Sequence, residues 1–318
     1  MFIRVHPWFP RCCSGRCSCR CRIRSIRDIR GIRAPLRHWS LPGAVALLAL
    51  AATPHSAIGQ QNALPAYLRD RGTGIPTSMF GTYIDRGELL VYPFFEYYRD
   101  KDAEYSPNEL GHGLDRDFRG RYRASEGLIF LGYGISDRLA VELEAAVISA
   151  RLERAPDDPS SVPAVVEESG LGDVEGQLRW RWNRETARRP EIFSYLEAVA
   201  PLQKRKRLIG TQDWEVKLGS GVVRGFAWGT TTIRAAVEYD GTEGTVGLGE
   251  FAVEYLKRVS RGLRVLGAVE GTGDEIEVIT ETQWFLRPHL MLKLNNAFGL
   301  TSKATDWAPE IGLMFSFK

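Results

Sequence analysis

Cysteine is absent from most of the chain, and histidine is scarce. All five cysteines lie between residues 12 and 21, and only His112 and His289 follow residue 59. A mature chain that begins near residue 60 therefore holds no disulfide. It also lacks the cysteine and histidine clusters from which zinc sites are built. We expect no cofactor and no metal.

Long apolar runs are also missing. The longest, residues 41–52, is shorter than the roughly 20 residues that a membrane helix needs, so helical spans are excluded. Ten arginines and one acid give residues 1–59 a net charge of about +9, and subtracting it from the whole-chain +3 leaves about −6 for the rest. A basic stretch, a short apolar core and the sequence Ala57-Ile58-Gly59 predict a secretory signal peptide. We place cleavage after Gly59, with Ala57 as the alternative.

The five cysteines fall inside this leader. A metal knot or a disulfide cluster is one interpretation, but no histidine or acidic cluster joins them, and export would discard them. An over-long basic region or an early start codon is the interpretation that we favour. Residues 60–86 are rich in proline and glycine, and we predict an irregular periplasmic lead-in or a partial plug.

In the remaining chain, apolar residues alternate with charged or polar ones. In residues 174–182, Val174, Leu178, Trp180 and Trp182 fall on one face of an extended strand, and charged or polar residues fall on the other. Such segments recur from residue 87 to residue 318, each about as long as a tilted membrane strand. We predict strands at 88–98, 125–135, 139–149, 174–182, 191–200, 213–223, 230–239, 250–258, 263–270, 275–286, 289–300 and 309–318.

The connections between these strands decide between a soluble sandwich and a membrane barrel. Tight turns alternate with longer loops, at 99–123, 151–170, 201–212, 240–246 and 301–308, and the turn 271–274 is the one short exception. Short turns at one end and long loops at the other are typical of bacterial outer-membrane barrels. We predict an all-β fold, a transmembrane antiparallel barrel of about twelve strands in the bacterial cell outer membrane.

Charged residues dominate the face that we assign to the lumen. An excess of acids favours a wet pore for cations or polar solutes, whereas paired charges that fill the lumen are the alternative. We predict an open or gated pore lined by Glu142, Glu144, Glu175, Arg179, Arg181, Glu215, Lys217, Arg234, Glu238, Glu254, Arg258, Arg264, Glu277 and Glu281.

Aromatic residues lie near the predicted strand ends, where amphipathic rings favour the lipid–water interface. Ordinary enrichment of aromatics in strands is the alternative. The predicted interfacial set is Tyr97, Trp180, Trp182, Trp214, Tyr239, Tyr255, Trp284, Trp307 and Phe317.

Two stretches carry a family resemblance. Residues 169–174 (Ser-Gly-Leu-Gly-Asp-Val) resemble the Gly-x-Gly-Asp strand entry of the outer-membrane transporter family labelled as MetA-pathway-of-phenol-degradation barrels. Residues 198–201 (Ala-Val-Ala-Pro) and 209–214, flanking a basic loop, resemble its next hairpin, although Leu202-Gln203 replaces the usual Thr-Gly, and Lys318 follows the usual terminal aromatic. The resemblance covers 87–318 in layout and about 50 residues in motif. It implies a barrel, an outer-membrane location and transport, and it implies no catalytic residue.

The predicted function is passive movement of small polar or aromatic solutes through the lumen, gated by the loops 99–123 and 151–170. An outer-membrane hydrolase or lipid-modifying enzyme is the first alternative, and it requires His112 within reach of an acid or a serine on those loops. A non-conducting structural or adhesion barrel with a dry, fully paired lumen is the second. We expect no enzymatic activity.

The expected partners follow from the compartment. They are outer-membrane lipid, the outer-membrane assembly machinery and a small solute. The basic run 204–207 on a predicted outer loop either binds lipopolysaccharide phosphates or is simply solvated. Nucleic acid is not an expected partner of an exported, acidic chain.

Overall fold

The computed structural model describes residues 64–242, 244–273 and 275–318. The predicted leader lies outside these residues. They form one 3₁₀ turn (Ala66–Leu68) and fourteen strands, and no helix among them is long and apolar enough to cross a membrane. The strands are β1 (Ile75–Pro76), β2 (Tyr83–Ile84), β3 (Leu89–Tyr105), β4 (Phe118–Gly134), β5 (Leu139–Glu153), β6 (Val165–Asn183), β7 (Glu191–Ala200), β8 (Glu215–Gly225), β9 (Thr230–Asp240), β10 (Thr245–Arg258), β11 (Leu263–Gly271), β12 (Ile276–Arg287), β13 (Leu290–Gly299) and β14 (Ala308–Phe317).

Strands β3 to β14 form one closed antiparallel barrel in which neighbours in sequence are neighbours in space. The seam joins β14 to β3, where Ile311 lies opposite Phe95 and Phe317 opposite Leu89. Closure removes the sheet edges, so that backbone N–H and C=O groups pair between strands. This pairing is necessary because lipid offers the backbone no hydrogen-bond partners. The predicted fold class, an antiparallel barrel of twelve strands, is confirmed.

The barrel has two different ends. We call one the short-turn end, because the connections there are the turns at 135–138, 184–190, 226–229, 259–262 and 288–289. The other, the long-loop end, carries the connections 106–117, 154–164, 201–214, 241–244, 272–275 and 300–307. The connection predicted to be long at 240–246 is the tight one at 241–244, because β10 begins at Thr245 and a bulge between Leu248 and Phe251 shifts its alternation.

Two hairpins at the long-loop end extend beyond the predicted strand ends. The predicted loops 99–123 and 151–170 shrink to 106–117 and 154–164, because β3–β4 and β5–β6 continue pairing past them. The predicted ends followed the apolar alternation, which stops before the hydrogen-bonded pairing does.

Charge on the outer surface explains why the alternation stops there. In the extended parts of these hairpins, Arg121 pairs with Glu153 at 3.0 Å and Arg151 with Glu167 at 2.8 Å on exposed faces. Ion pairs of this kind belong in water rather than in acyl chains. The extensions therefore project from the apolar belt of the barrel.

The outward face of the barrel is apolar through its middle. Leu143, Val147, Leu218, Ile233 and Val237 are all exposed there, about half of each side chain being accessible. A continuous apolar band of this kind is the lipid-facing surface of an outer-membrane-type barrel.

Residues 64–88 fold inside the barrel at its short-turn end, and we call this segment the plug. Its two short strands pair through Ile75 opposite Ile84. Both residues, together with Met79 and Phe80, are at most 2% exposed and pack among inward side chains such as Tyr92. The segment predicted as a lead-in or partial plug thus lies in the lumen over its described residues.

Candidate functional site

The structure brings the fourteen predicted lumen residues together on the inward face of the barrel. Twelve of them are buried, whereas Glu238 and Arg258 are half-buried. Burial to this degree shows that the inward side chains and the plug together occlude the lumen at this level. Their role in lining a conducting pore stays a prediction.

Two predicted lumen arginines hold the backbone of the plug. Arg179 donates to the carbonyl oxygen of Pro76 at 3.2 Å, and Arg181 donates to that of Thr73 at 2.9 Å. Arg181 also lies 3.2 Å from a carboxylate oxygen of Glu191. The backbone of the plug pairs within itself only in part, so these side chains supply donors to carbonyls that remain.

The tip of the plug is held in the same way. The carbonyl oxygen of Phe80 accepts hydrogen bonds from Gln283 at 3.2 Å and from Lys293 at 3.3 Å. Its ring lies 5.0 Å from the guanidinium of Arg234. Nearby, Ser78 donates both its backbone N–H, at 2.9 Å, and its hydroxyl to Glu142. Most of these contacts are hydrogen bonds, which water can replace.

Arg71 is the strongest ionic anchor of the plug. It lies 3.0 Å from Glu185 and 2.9 Å from Glu191 at the short-turn end. Burial lowers the pKa of Arg71, but the nearby charges, Glu191 first, outweigh burial and raise it above its ordinary value. Burial also raises the pKa of the neighbouring Tyr83 to about 12.

One wall of the lumen, from β7 to β11, pairs two of its buried cations, Arg234 and Lys217, with carboxylates; we call it the paired wall. Arg234 lies within 3.5 Å of Glu250, Glu254 and Glu270, which come from two neighbouring strands. On β8, the amine of Lys217 lies 2.7 Å from Glu197. Such clusters fix strand register and occupy space.

The opposite wall, formed by β14 and β3 to β6, concentrates carboxylates; we call it the acidic wall. Glu310, Glu96 and Glu126 lie directly opposite one another on three adjacent strands. Glu144 and Glu175 form a second directly opposed pair. Like charges placed opposite one another destabilise a sheet unless a counter-charge or water intervenes.

Two members of the acidic wall, Glu126 and Glu144, have no hydrogen-bond or ion-pair partner among the described residues. Glu175, in contrast, lies near enough to Lys217 to interact with its charge. Glu126 is fully buried, and Glu144 is nearly so. Burying an ionised carboxylate without a partner is costly, and the described residues supply none to Glu126 or Glu144.

At the long-loop end, the loop that closes over the lumen is 201–214. Its residues Leu208 and Ile209 are buried and join the apolar cluster of the lumen. Asp173, the acid of the Gly-x-Gly-Asp motif, accepts hydrogen bonds from the backbone of Leu202 at 2.6 Å and from the hydroxyl of Thr211 at 3.0 Å. Gating was predicted for the loops 99–123 and 151–170, and the closing loop 201–214 was not singled out.

The basic run 204–207 is largely engaged within the protein. Lys206 donates to the carbonyl oxygen of Ser169 at 2.5 Å, and Arg207 donates to that of Glu109 at 3.0 Å. Lys204 lies 3.7 Å from Asp213. These contacts tie the closing loop to its neighbours, and lipopolysaccharide binding stays a prediction.

The predicted interfacial aromatics fall into two groups on the outer surface. Toward the short-turn end lie Trp180, Trp182, Tyr255, Trp284 and Phe317. There Trp228 stacks on Tyr255, and Phe226 stacks on Trp228. Trp214, Tyr239 and Trp307 lie toward the long-loop end, with Tyr97 packed edge-on against Trp307. Twelve residues separate Trp214 from Phe226, which corresponds to roughly 25–30 Å along the barrel axis for a strand tilted by about 45°.

His112 meets a serine but no acid. Its Nδ1 lies 3.1 Å from the hydroxyl of Ser161 on the loop 154–164. Among the described residues, no carboxylate forms a hydrogen bond or ion pair with His112. His289 lies at the other end of the barrel, in the turn between β12 and β13.

Aromatic residues inside the lumen were missed by sequence reasoning. Tyr92, Phe94 and Phe130 are buried against the plug, and Phe193 and Tyr195 flank Arg179, whose guanidinium lies 5.5 and 5.0 Å from their rings. A signal was available, because β3 carries large apolar residues on both faces. A purely water-filled pore does not need that pattern.

Comparison with known proteins describes the fold. No protein-family model and no curated protein matches the sequence, so the family resemblance stays a prediction. Among solved structures, the chain is similar to a COG4313 outer membrane channel from Pseudomonas putida F1, with a TM-score of 0.53 and 13% identity, covering 74% of this chain and 97% of that one.

Weaker likenesses extend to barrels of other kinds. The translocator domain of the autotransporter NalP from Neisseria meningitidis has a TM-score of 0.45 at 8% identity, covering 73% of this chain and 88% of that one. Outer membrane phospholipase A from Escherichia coli has a TM-score of 0.40 at 8% identity, covering 73% and 93%. The likeness to the COG4313 channel, at 13% identity, establishes the barrel fold alone, and the function must be argued from the lumen.

Proposed function

We propose that this chain is an outer-membrane channel that passes small polar or aromatic solutes, prefers cations, and is closed by its own plug and by the loop 201–214. The observation that carries the proposal is the acidic wall, where Glu126 and Glu144 are buried and have no hydrogen-bond or ion-pair partner among the described residues. Unpaired buried carboxylates would only destabilise a structural barrel with a dry lumen. In a hydrated pathway they would attract cations.

The plug is the part that would move. Besides its buried apolar side chains, it contacts the barrel through polar contacts that water can exchange. Its own Arg71 pairs with Glu185 and Glu191. Its backbone accepts hydrogen bonds from Arg179, Arg181, Gln283 and Lys293. Its displacement toward the short-turn end, which we place in the periplasm, would connect the lumen to solvent. The outer-membrane assembly machinery and lipid remain the expected partners of such a barrel.

The test is single-channel conductance of the chain from Gln60 in a planar bilayer, recorded in a salt gradient. We expect small, infrequent steps with a reversal potential that favours the cation. Stable insertion without conductance in any variant below would contradict the proposal.

Two glycines allow the plug to be dislodged without touching a charged residue. A Cβ at Gly134 would lie 2.0 Å from the carbonyl oxygen of Asp85, and one at Gly225 would lie 1.7 Å from that of Tyr67. We expect Gly134→Val with Gly225→Val to raise open probability and conductance several-fold. The matched control is Gly127→Val with Gly247→Val, where a Cβ meets nothing within 4 Å, and it should behave as the unaltered chain.

A hydrolase is the second candidate, and the contact between His112 and Ser161 is the one observation that favours it. A serine and a histidine within hydrogen-bond reach are the core of a nucleophilic site, but here Ser161 is exposed and the histidine lacks an acid to orient it. Labelling by a fluorophosphonate that is lost in Ser161→Ala would support it. Absence of labelling in the folded protein would exclude it.

A further inference from the structure

A cavity of about 570 Å³ lies between the plug and the barrel at the short-turn end. Plug residues such as Thr73 and Tyr83 form one side, and strands β12, β13, β14 and β3 form the other. Pro288 and His289, both exposed, stand at its rim. The cavity thus opens toward the short-turn end, and its volume is that of a small-molecule site.

The body of the cavity is apolar. Leu90, Phe285, Leu290, Met291 and Met314 all line it. Phe285 presents a ring, and the two methionines supply flexible, polarisable side chains that adapt to the shape of a ligand. A hydrocarbon or aromatic group would be transferred from water onto this surface with a gain in free energy.

One charged side chain on this wall, Arg264, forms no ion pair among the described residues. Asp70 interacts with its charge from beyond ion-pair distance and itself lies 3.6 Å from the amine of Lys257. Arg264 on β11 lines the cavity and is only 7% exposed. Its guanidinium lies 4.8 Å from the ring of Phe285, and its Nε has no hydrogen-bond partner. No residue in the described part of the chain forms an ion pair or hydrogen bond with its side chain.

The acids that line the cavity are already engaged elsewhere. Asp85 accepts a hydrogen bond from Thr73 at 3.0 Å and lies 2.6 Å from the amine of Lys318. Glu88 accepts hydrogen bonds from the backbone N–H of Asp85, at 2.7 Å, and from the hydroxyl of Ser316. These carboxylates therefore form no ion pair with Arg264.

The other lining arginine is also engaged. Arg71 forms its ion pairs with Glu185 and Glu191, outside the cavity. A buried cation without an ion pair is costly, and an anion that enters the cavity would recover that cost.

We infer that this cavity binds a small amphipathic anion, with a carboxylate against the guanidinium of Arg264 and an apolar body among Phe285, Met291 and Met314. A ligand seated there touches the plug and the barrel at once. The site goes beyond the proposed channel and does not depend on it, because the ligand reaches the cavity from the short-turn end without crossing the acidic wall.

The test is calorimetric titration of the folded chain from Gln60 in nanodiscs with benzoate, and in parallel with benzamide and benzylamine. These probes share a ring and differ in charge. We expect benzoate to bind at least about tenfold more tightly than either, because a charge-assisted hydrogen bond is lost without the carboxylate. Equal binding of the three probes, or no saturable binding of benzoate, would overturn the inference.

Variants separate the charge from the cavity. Arg264→Met should weaken benzoate binding by about tenfold or more and leave the barrel folded, because an unpaired buried charge is replaced by an apolar group. Arg264→Lys should bind benzoate more tightly than Arg264→Met and more weakly than the unaltered chain, since it keeps the charge but loses the planar guanidinium on the ring of Phe285. The matched control is Arg258→Met, an arginine on the same ring of Phe285 that does not line the cavity, and it should bind benzoate almost as the unaltered chain does.

A steric variant keeps the inference testable if Arg264→Met fails to fold. Leu290→Trp would fill part of the cavity from a half-buried wall position, and it should weaken benzoate binding with the charge intact. Unchanged binding in Leu290→Trp, or in a folded Arg264→Met, would place benzoate elsewhere and refute the site. Conductance in potassium chloride, measured without benzoate, reports on the channel alone, so the two proposals can fail separately.

Discussion

The two walls of the lumen differ in whether their buried charged side chains have partners. On the paired wall, Arg234 lies among three carboxylates and Lys217 has Glu197 at 2.7 Å. On the acidic wall, Glu126 and Glu144 are just as buried and have no partner among the described residues. The difference shows that burial alone does not define the role of a charge in a barrel. Paired charges hold the shape, whereas the unpaired ones are the groups that the proposed channel would offer to mobile ions.

The largest effect is expected from breaking the paired wall. Arg234→Met leaves Glu250, Glu254 and Glu270 without their shared cation, so the free energy of unfolding should fall by about 3–5 kcal/mol. Denaturant unfolding in detergent measures it. Arg121→Met, which breaks an exposed pair with Glu153, is the control and should cost less than about 1 kcal/mol. Similar losses for both variants would contradict the distinction between the walls.

A matched pair of glutamates sharpens the comparison. Glu126→Gln with Glu144→Gln removes two unpartnered charges, so stability should hold or rise by about 1–2 kcal/mol while the reversal potential shifts toward zero. Glu197→Gln removes the partner of Lys217 and should instead destabilise the barrel. Unfolding and salt-gradient recordings give both quantities. A large loss of stability in the first variant would show that these carboxylates have structural partners after all.

The smallest expected effect concerns the plug in alkali. The pKa of Tyr83, raised by burial to about 12, exceeds the value of about 10 in an unfolded chain, so folding favours the neutral phenol. Its contribution to stability is complete below pH 10 and is lost as the pH rises toward 12.

The absorbance of tyrosinate tests this directly. The difference in absorbance at 295 nm between the unaltered chain and Tyr83→Phe should titrate near pH 12, and the variant should resist alkaline release of the plug better. Tyr133→Phe, an exposed position on the outer surface, controls for the loss of one phenol. Titration of the Tyr83 difference near pH 10 would mean that the plug does not shield this side chain.

Sequence reasoning located the barrel because a membrane enforces a two-residue period on every strand that crosses it. It shortened the two hairpins at the long-loop end because that period disappears where both faces meet water, as at Arg121 and Arg151. The plug was harder, since Ile75, Met79 and Phe80 follow no period and show their burial only in three dimensions.

The pairing of charges was out of reach for a different reason. Which glutamates contact Arg234 depends on the register of β9, β10 and β11. A sequence pattern predicts on which face of its strand a side chain lies, but not which residue of the neighbouring strand lies opposite it. The same limit hides the missing ion pair of Arg264, because a missing partner is a property of all the surrounding strands together.

The position of the plug has a consequence for the order of assembly. The plug directly precedes β3, and β3 pairs with β14, more than 200 residues later in the chain. Contacts so distant in sequence form late, because a long loop must be ordered before they gain anything. Sealing the β3–β14 seam is therefore the step that traps the plug, so the segment must already be folded back into the half-built cylinder. A chain that closes first would leave its plug outside.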